Sequence, residues 1–192
     1  MNFINIFLKS MLIDNVVFIQ YLAICPFVGM TTETDKATGM GIATTFVIVL
    51  ATAVTWPIYN GIMVPLGLEY LQTLIFILVI AALVQLVEFY LKKSIPGLYS
   101  AMGVYLALIT TNCAVLAITI NCINKYSYGY IESLVYALGS AVGFLIAMVI
   151  MAGVREHMKS APIPKIVKGK PILFITAGLL SLSFLGFNGL IK

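Results

Sequence analysis

The sequence predicts an all-α integral membrane protein of six transmembrane helices, arranged as two inverted three-helix repeats. Three observations predict it. Of 192 residues, 61% are hydrophobic and only 9% are charged, against about 25% charged in soluble domains, and the mean hydropathy is +1.08. A water-soluble fold of this length has too little interior to hide that much apolar surface. Apolar runs also recur at the length a bilayer demands, about 20 residues, and they are apolar on all faces instead of alternating as barrel strands do. Finally, the basic residues are sorted by loop, as charge-directed insertion requires. The same composition disfavours a secreted disulfide scaffold, a nucleic-acid reader and a disordered tail, and a net charge of +4 is too small for a binding stripe.

The segments follow in order. The first, residues 4–27, has no basic n-region, holds Lys9 within its apolar stretch and lacks a small-x-small cleavage site, so it reads as a retained span. Asp14-Asn15 lies in its outer half, where a carboxylate is a functional suspect by default; the simpler reading is a half-helix N-terminus near the interface. The second, 39–61, closes on Trp56 and Tyr59. The third, 70–91, carries Glu88 and Lys92 at i, i+4 spacing, and Gln72 and Gln85 able to bond across helices. The fourth, 101–122, contains Thr110, Thr111, Asn112 and Cys113, and ends at Cys122. The fifth and sixth are 131–153 and 171–190, and Gly39, Gly41, Gly139 and Gly143 are expected to let the second and fifth helices approach their neighbours closely.

Eight basic residues, Lys36, Lys92, Lys93, Arg155, Lys159, Lys165, Lys168 and Lys170, fall in loops on one side, against Lys125 and Lys192 on the other. That side is cytoplasmic and both termini face outward. Trp56, Tyr59, Tyr126, Tyr128 and Tyr130 then form a belt at the outer boundary. The run from Arg155 to Lys170 is read as orientation control, with room to dock a cytoplasmic protein or anionic headgroups, and His157 as solvated surface. A shift of 98 residues lays Gly41, Ala43 and Phe46 over Gly139, Ala141 and Phe144, and Phe76-Ile77 over Phe174-Ile175. Residues 1–98 and 99–192 are therefore read as the two repeats of a single membrane domain. Three spans per repeat force opposite orientations, the plan of many transport proteins.

Cys25 lies in the first segment of one repeat and Cys113 in the first segment of the other. Pro26 predicts a break near Cys25. A helix from Asp14 to Cys25 rises about 16 Å, half the hydrocarbon core, and an extended passage from Cys25 to Glu33 covers up to about 26 Å. The polar run before Cys113 is costly at mid-membrane unless it bonds to unwound backbone or lines a site. The first helix of each repeat is thus expected to be broken near the bilayer centre, beside a thiol. A buried cysteine is commonly a small hydrophobe, but a symmetric pair points to a metal or iron–sulfur site. Such a cluster wants four thiolates, so another chain must supply the remainder. Cys122, about 13 Å along a helix from Cys113, cannot share that site and reads as structural.

CPFVGM (Cys25 to Met30), GMGIATTFV (Gly39 to Val47), LITTNCAVL (Leu108 to Leu116) and ITAGLLSLSFLGFNGL (Ile175 to Leu190) resemble the A-type members of Rnf complexes, nearly end to end and in the same order. Those complexes are membrane-bound ferredoxin:NAD⁺ oxidoreductases coupled to ion transport. The chain is also similar to the E-type member of the sodium-pumping NADH:quinone reductase. The resemblance implies a bacterial or archaeal cytoplasmic membrane, a homologous E-type partner of opposite topology, and a [2Fe–2S] cluster shared between the pair. Cys25 and Cys113 match its ligand positions in this chain. It also implies electron relay coupled to Na⁺ or H⁺ transport, with no flavin or NAD bound by this chain and no catalysis by it alone. The rival expectation is a small secondary transporter with its solute site where the broken helices meet.

Overall fold

The computed structural model describes residues 3–67, 69–94, 108–109, 111–125, 129–159 and 169–186. Among these there is no strand. Helix α1, Phe3–Leu8, continues through a π-helical turn, Lys9–Ile13, and stops at Asp14. Asn15 explains the stop. Its side-chain oxygen accepts from the backbone amides of Val17 (3.0 Å) and Phe18 (3.3 Å), a local closure that competes with the helical ladder. Residues 14–23 are turn and irregular chain, with left-handed backbone at Tyr21 (φ 53°) and Ala23 (φ 60°). Helix α2, Ile24–Met30, then begins immediately before Cys25.

The break therefore lies ahead of Cys25, and two expectations are corrected. Asp14 to Cys25 is not a helix, and the chain after Cys25 is helical instead of extended. Pro26 sits in the first turn of α2, where an amide would have no intrahelical acceptor and the proline ring costs nothing. Asp14 caps a helix C-terminus, so the dipole reading of its carboxylate is also withdrawn.

Helix α3, Thr34–Ile58, passes through Pro57 into a π-helical turn, Tyr59–Met63, then a short helical turn α4, Val64–Leu66, closed by Gly67 at φ 66°. Helix α5 is Gln72–Ser94, α6 is Cys113–Ile120 with a π-helical extension Asn121–Lys125, α7 is Tyr130–Met158 and α8 is Lys170–Leu185. The hydroxyls of Thr38, Thr45, Thr52 and Thr55 donate to carbonyls four residues back, which satisfies them inside an apolar helix. Helix α7 runs past the expected end at 153 to Met158 and carries Arg155, Glu156 and His157 with it.

Helices α3 and α7 form the central pair, sealed by Met40, Ile48, Phe144, Ala147 and Met148, all at 0% exposure. At Gly41 a Cβ would stand 3.1 Å from Leu145 Cγ. Gly139 and Gly143, four apart on one face of α7, receive α1 and its π turn. A Cβ on Gly139 would meet the Phe7 carbonyl oxygen at 2.7 Å, and one on Gly143 the Met11 carbonyl oxygen at 2.7 Å. Gly39 has open space around it, so its expected packing role is withdrawn. Trp56 and Tyr130 meet edge to face at 5.3 Å, joining the end of α3 to the start of α7; Tyr126 and Tyr128 lie outside the described residues.

Among the described residues, three helices are long and apolar enough to cross a membrane: Thr34–Met63, Gln72–Phe89 and Tyr130–Met158. They coincide with the expected second, third and fifth segments. Phe3–Ile13, Cys113–Asn124 and Pro171–Leu185 are shorter apolar helices. Residues 101–107 and 187–190, parts of the fourth and sixth expected segments, lie outside the described residues.

Candidate metal centre

Both singled-out thiols stand at the beginning of a short helix. Cys25 is the second residue of α2, and Cys113 is the first residue of α6. Both are exposed and neither is in a disulfide. Asn112 explains why α6 starts where it does: it has extended backbone (φ −72°, ψ 111°), and its side-chain oxygen accepts from the Ala114 amide at 3.0 Å. Asparagine is among the preferred residues for this capping position. The polar run before Cys113 thus has a structural role at Asn112, while Thr111 is exposed and Thr110 lies outside the described residues. The Asn112 amide nitrogen is buried with no hydrogen-bond partner among the described residues.

The unwound stretch before α2 is held from three sides. Asn15 donates to the Gly143 carbonyl of α7 at 3.0 Å. Tyr21 donates to Ser181 of α8 at 2.8 Å, and Ser181 donates to the Phe18 carbonyl at 2.6 Å. Asn121 donates to Gln20 at 3.3 Å. Irregular backbone is tolerated in an apolar layer only where protein satisfies it; Ser181 meets the Phe18 carbonyl and Asn15 the Val17 and Phe18 amides, while the other bonds tie side chains of the stretch to its neighbours. Phe18 packs edge to face on Phe27 of α2 at 5.9 Å. Pro26, Phe27 and Met30 are buried while Cys25 and Gly29 are exposed, so one face of α2 is anchored and the opposite face carries the thiol. A Cβ at Gly29 would lie 4.0 Å from Leu108 Cδ1, which places α2 alongside the chain leading into Cys113.

The remaining candidates are not drawn into this place. Cys122 is 1% exposed and its thiol donates to the Ser133 carbonyl at 3.8 Å. Gln72 is buried with its amide nitrogen unpartnered among the described residues, Gln85 is exposed, and Glu88 is half-buried. His157 is exposed in the last turn of α7. Sequence reasoning missed Arg155 and Lys159 as internal ties. Arg155 bonds the Val28 carbonyl and Thr31, and Lys159 bonds the Thr32 carbonyl. In a chain with so few charges, two cations one helical turn apart were the available signal.

No group of three or more histidine, cysteine, aspartate or glutamate side chains is gathered among the described residues. The chemistry on offer is two soft thiol donors on adjacent segments, half of what a four-thiolate iron–sulfur cluster requires. That donor set fits a metal centre completed by a second chain.

Comparison with known proteins gives the family of the chain. The family described as Rnf-Nqr subunit, membrane protein, matches residues 3–191. The A-type component of the Na⁺-translocating ferredoxin:NAD⁺ oxidoreductase complex of Acetobacterium woodii is 49% identical over 191 residues, covering 99% of this chain and 98% of the relative. The A-type component of the ion-translocating oxidoreductase complex of an Azoarcus species is 50% identical over 183 residues, covering 95% and 94%. Its counterpart in Yersinia enterocolitica is 45% identical over 190 residues, covering 99% and 98%. With this match along nearly its whole length, the chain belongs to the Rnf-Nqr family of membrane-protein subunits.

Proposed function

We propose that this chain is the A-type membrane component of an ion-translocating ferredoxin:NAD⁺ oxidoreductase. In it, Cys25 and Cys113 supply two of the four thiolate ligands of a [2Fe–2S] cluster shared with a homologous partner. The observation that carries the reading is the pair of exposed thiols, each in the first turn of a short helix and borne on neighbouring segments. Full-length similarity to relatives named as components of such complexes supports the assembly. A bound cluster supplies one-electron transfer. The residues of this chain position its two ligands: the anchored face of α2 fixes Cys25, and the Asn112 cap fixes Cys113. Residues 1–98 and 99–192 form the two inverted repeats, six segments cross the bilayer, both termini lie outside, and the assembly moves Na⁺ or H⁺.

The test uses this chain co-purified with its opposite-topology partner. Iron content and the EPR spectrum after dithionite reduction are compared with Cys25→Ser, Cys113→Ser and Cys122→Ala forms. The reading expects a rhombic [2Fe–2S] signal that the first two substitutions abolish and Cys122→Ala leaves in place. A stably folded pair without iron would sink it and put the solute-transporter reading first.

A further inference from the structure

Helix α2 has seven residues, far below the roughly 12–15 that an isolated helix needs to persist. Its position, and with it that of Cys25, is decided by what holds it. One hold is the apolar face described above. The other is at its carbonyl end. The Arg155 Nη1 donates to the Val28 carbonyl at 2.9 Å and to Thr31 Oγ1 at 2.8 Å. Thr31, itself 0% exposed, donates its own proton to the Phe27 carbonyl at 2.6 Å. Last-turn carbonyls have no intrahelical donor, and a cation there also complements the helix dipole. Just beyond α2, Lys159 bonds the Thr32 carbonyl at 3.0 Å and Glu156 accepts from Thr34 at 2.6 Å. The end of α7 and the residue after it thus grip the chain from 28 to 34, and Arg155 is the member of that grip that holds α2 itself.

We propose that Arg155 is a positioning residue for Cys25: gripping the carbonyl end of α2, it sets where that thiolate stands in the shared site and places a fixed positive charge near it. The inference rests on the shared-cluster reading. Along a helix axis Cys25 and Val28 are about 4.5 Å apart, so a displacement of one end is delivered to the other without a hinge between them. A nearby cation favours the more negative, reduced form of a cluster, which raises its reduction potential.

The test takes the co-purified pair in wild-type, Cys25→Ser, Arg155→Met, Arg155→Lys and Lys159→Met forms, and measures iron content and midpoint potential by EPR-monitored titration. In parallel, the full chain purified alone is alkylated with a maleimide, and Cys25 modification is measured against Cys113 by mass spectrometry. Arg155→Met is expected to lower the midpoint potential and to raise the Cys25-to-Cys113 ratio several-fold. Arg155→Lys should return both toward wild type, since it keeps the charge and a donor group, though not the rigid guanidinium fork. Lys159→Met, which touches only the chain beyond α2, should leave both unchanged. If Arg155→Met does not co-purify, Thr31→Val carries the same comparison, with a smaller shift in the same direction. A wild-type signal that Cys25→Ser abolishes while Arg155→Met leaves the potential unmoved overturns the Arg155 inference alone, whatever the alkylation ratio. A wild-type pair without iron overturns the cluster reading and this inference together.

Discussion

Gly143 is glycine because the Met11 carbonyl oxygen would stand only 2.7 Å from its Cβ. Backbone cannot rotate aside as a side-chain tip can. Gly143→Ala is therefore expected to force α1 off α7 and to cost about 1–3 kcal/mol, the usual range for overpacking a tight contact. Gly153→Ala, on the same helix with nothing within 4 Å, should leave stability equal or slightly higher, since alanine is the better helix former. Thermal unfolding midpoints in detergent check both, and equal changes at the two positions would show that the Met11 contact does not decide. Asn112→Ala removes the cap of α6 and should cost about 1 kcal/mol, read in the same assay. At this scale the sequence was partly legible. Gly41, Gly139 and Gly143 were expected to mark close contacts and do. Gly39 was not distinguishable from them, because which face of a helix meets a neighbour depends on the partner's position.

Among the elements, the unwound chain from 14 to 23 has a meaning only through its neighbours. Its left-handed Tyr21 and Ala23 are of a kind that costs on the order of 1–3 kcal/mol per residue and persists where surroundings enforce it. Ser181 is one enforcer, since it accepts from Tyr21 and donates to the Phe18 carbonyl. Ser181→Ala should raise amide hydrogen exchange across 14–23 by mass spectrometry while α7 stays protected; unchanged exchange in that stretch would show that α8 contributes nothing to holding it. Asn15→Ala should act more strongly, because it strands the Val17 and Phe18 amides and at the same time cuts the tie to the Gly143 carbonyl of α7, and each buried amide left unpaired costs about 1–3 kcal/mol. A break in this segment was legible from Cys25-Pro26. Its side was not, since a proline is tolerated in the first turn of a following helix as readily as after a preceding one.

For the whole molecule, the sorting of basic residues predicts that both termini lie outside. With the three native cysteines replaced, a cysteine introduced by Phe3→Cys should react with a membrane-impermeant maleimide in intact cells. One introduced by His157→Cys should react only after permeabilisation. The opposite pattern would invert the topology. The sequence alone determined that this is a helical membrane chain, where the three long apolar helices among the described residues lie and which family it belongs to, because composition and run length report the solvent a chain is built for, and motif order reports descent. It also singled out Cys25 and Cys113 as residues. Only the tertiary structure decided that both thiols are exposed at helix beginnings, that the break precedes Cys25, and that Arg155 reaches back across 127 residues to hold α2. Those facts depend on which distant groups satisfy a backbone that has left its helix. No local pattern records such a partner, because a carbonyl without an internal donor is the same in every sequence until the fold brings a cation to it.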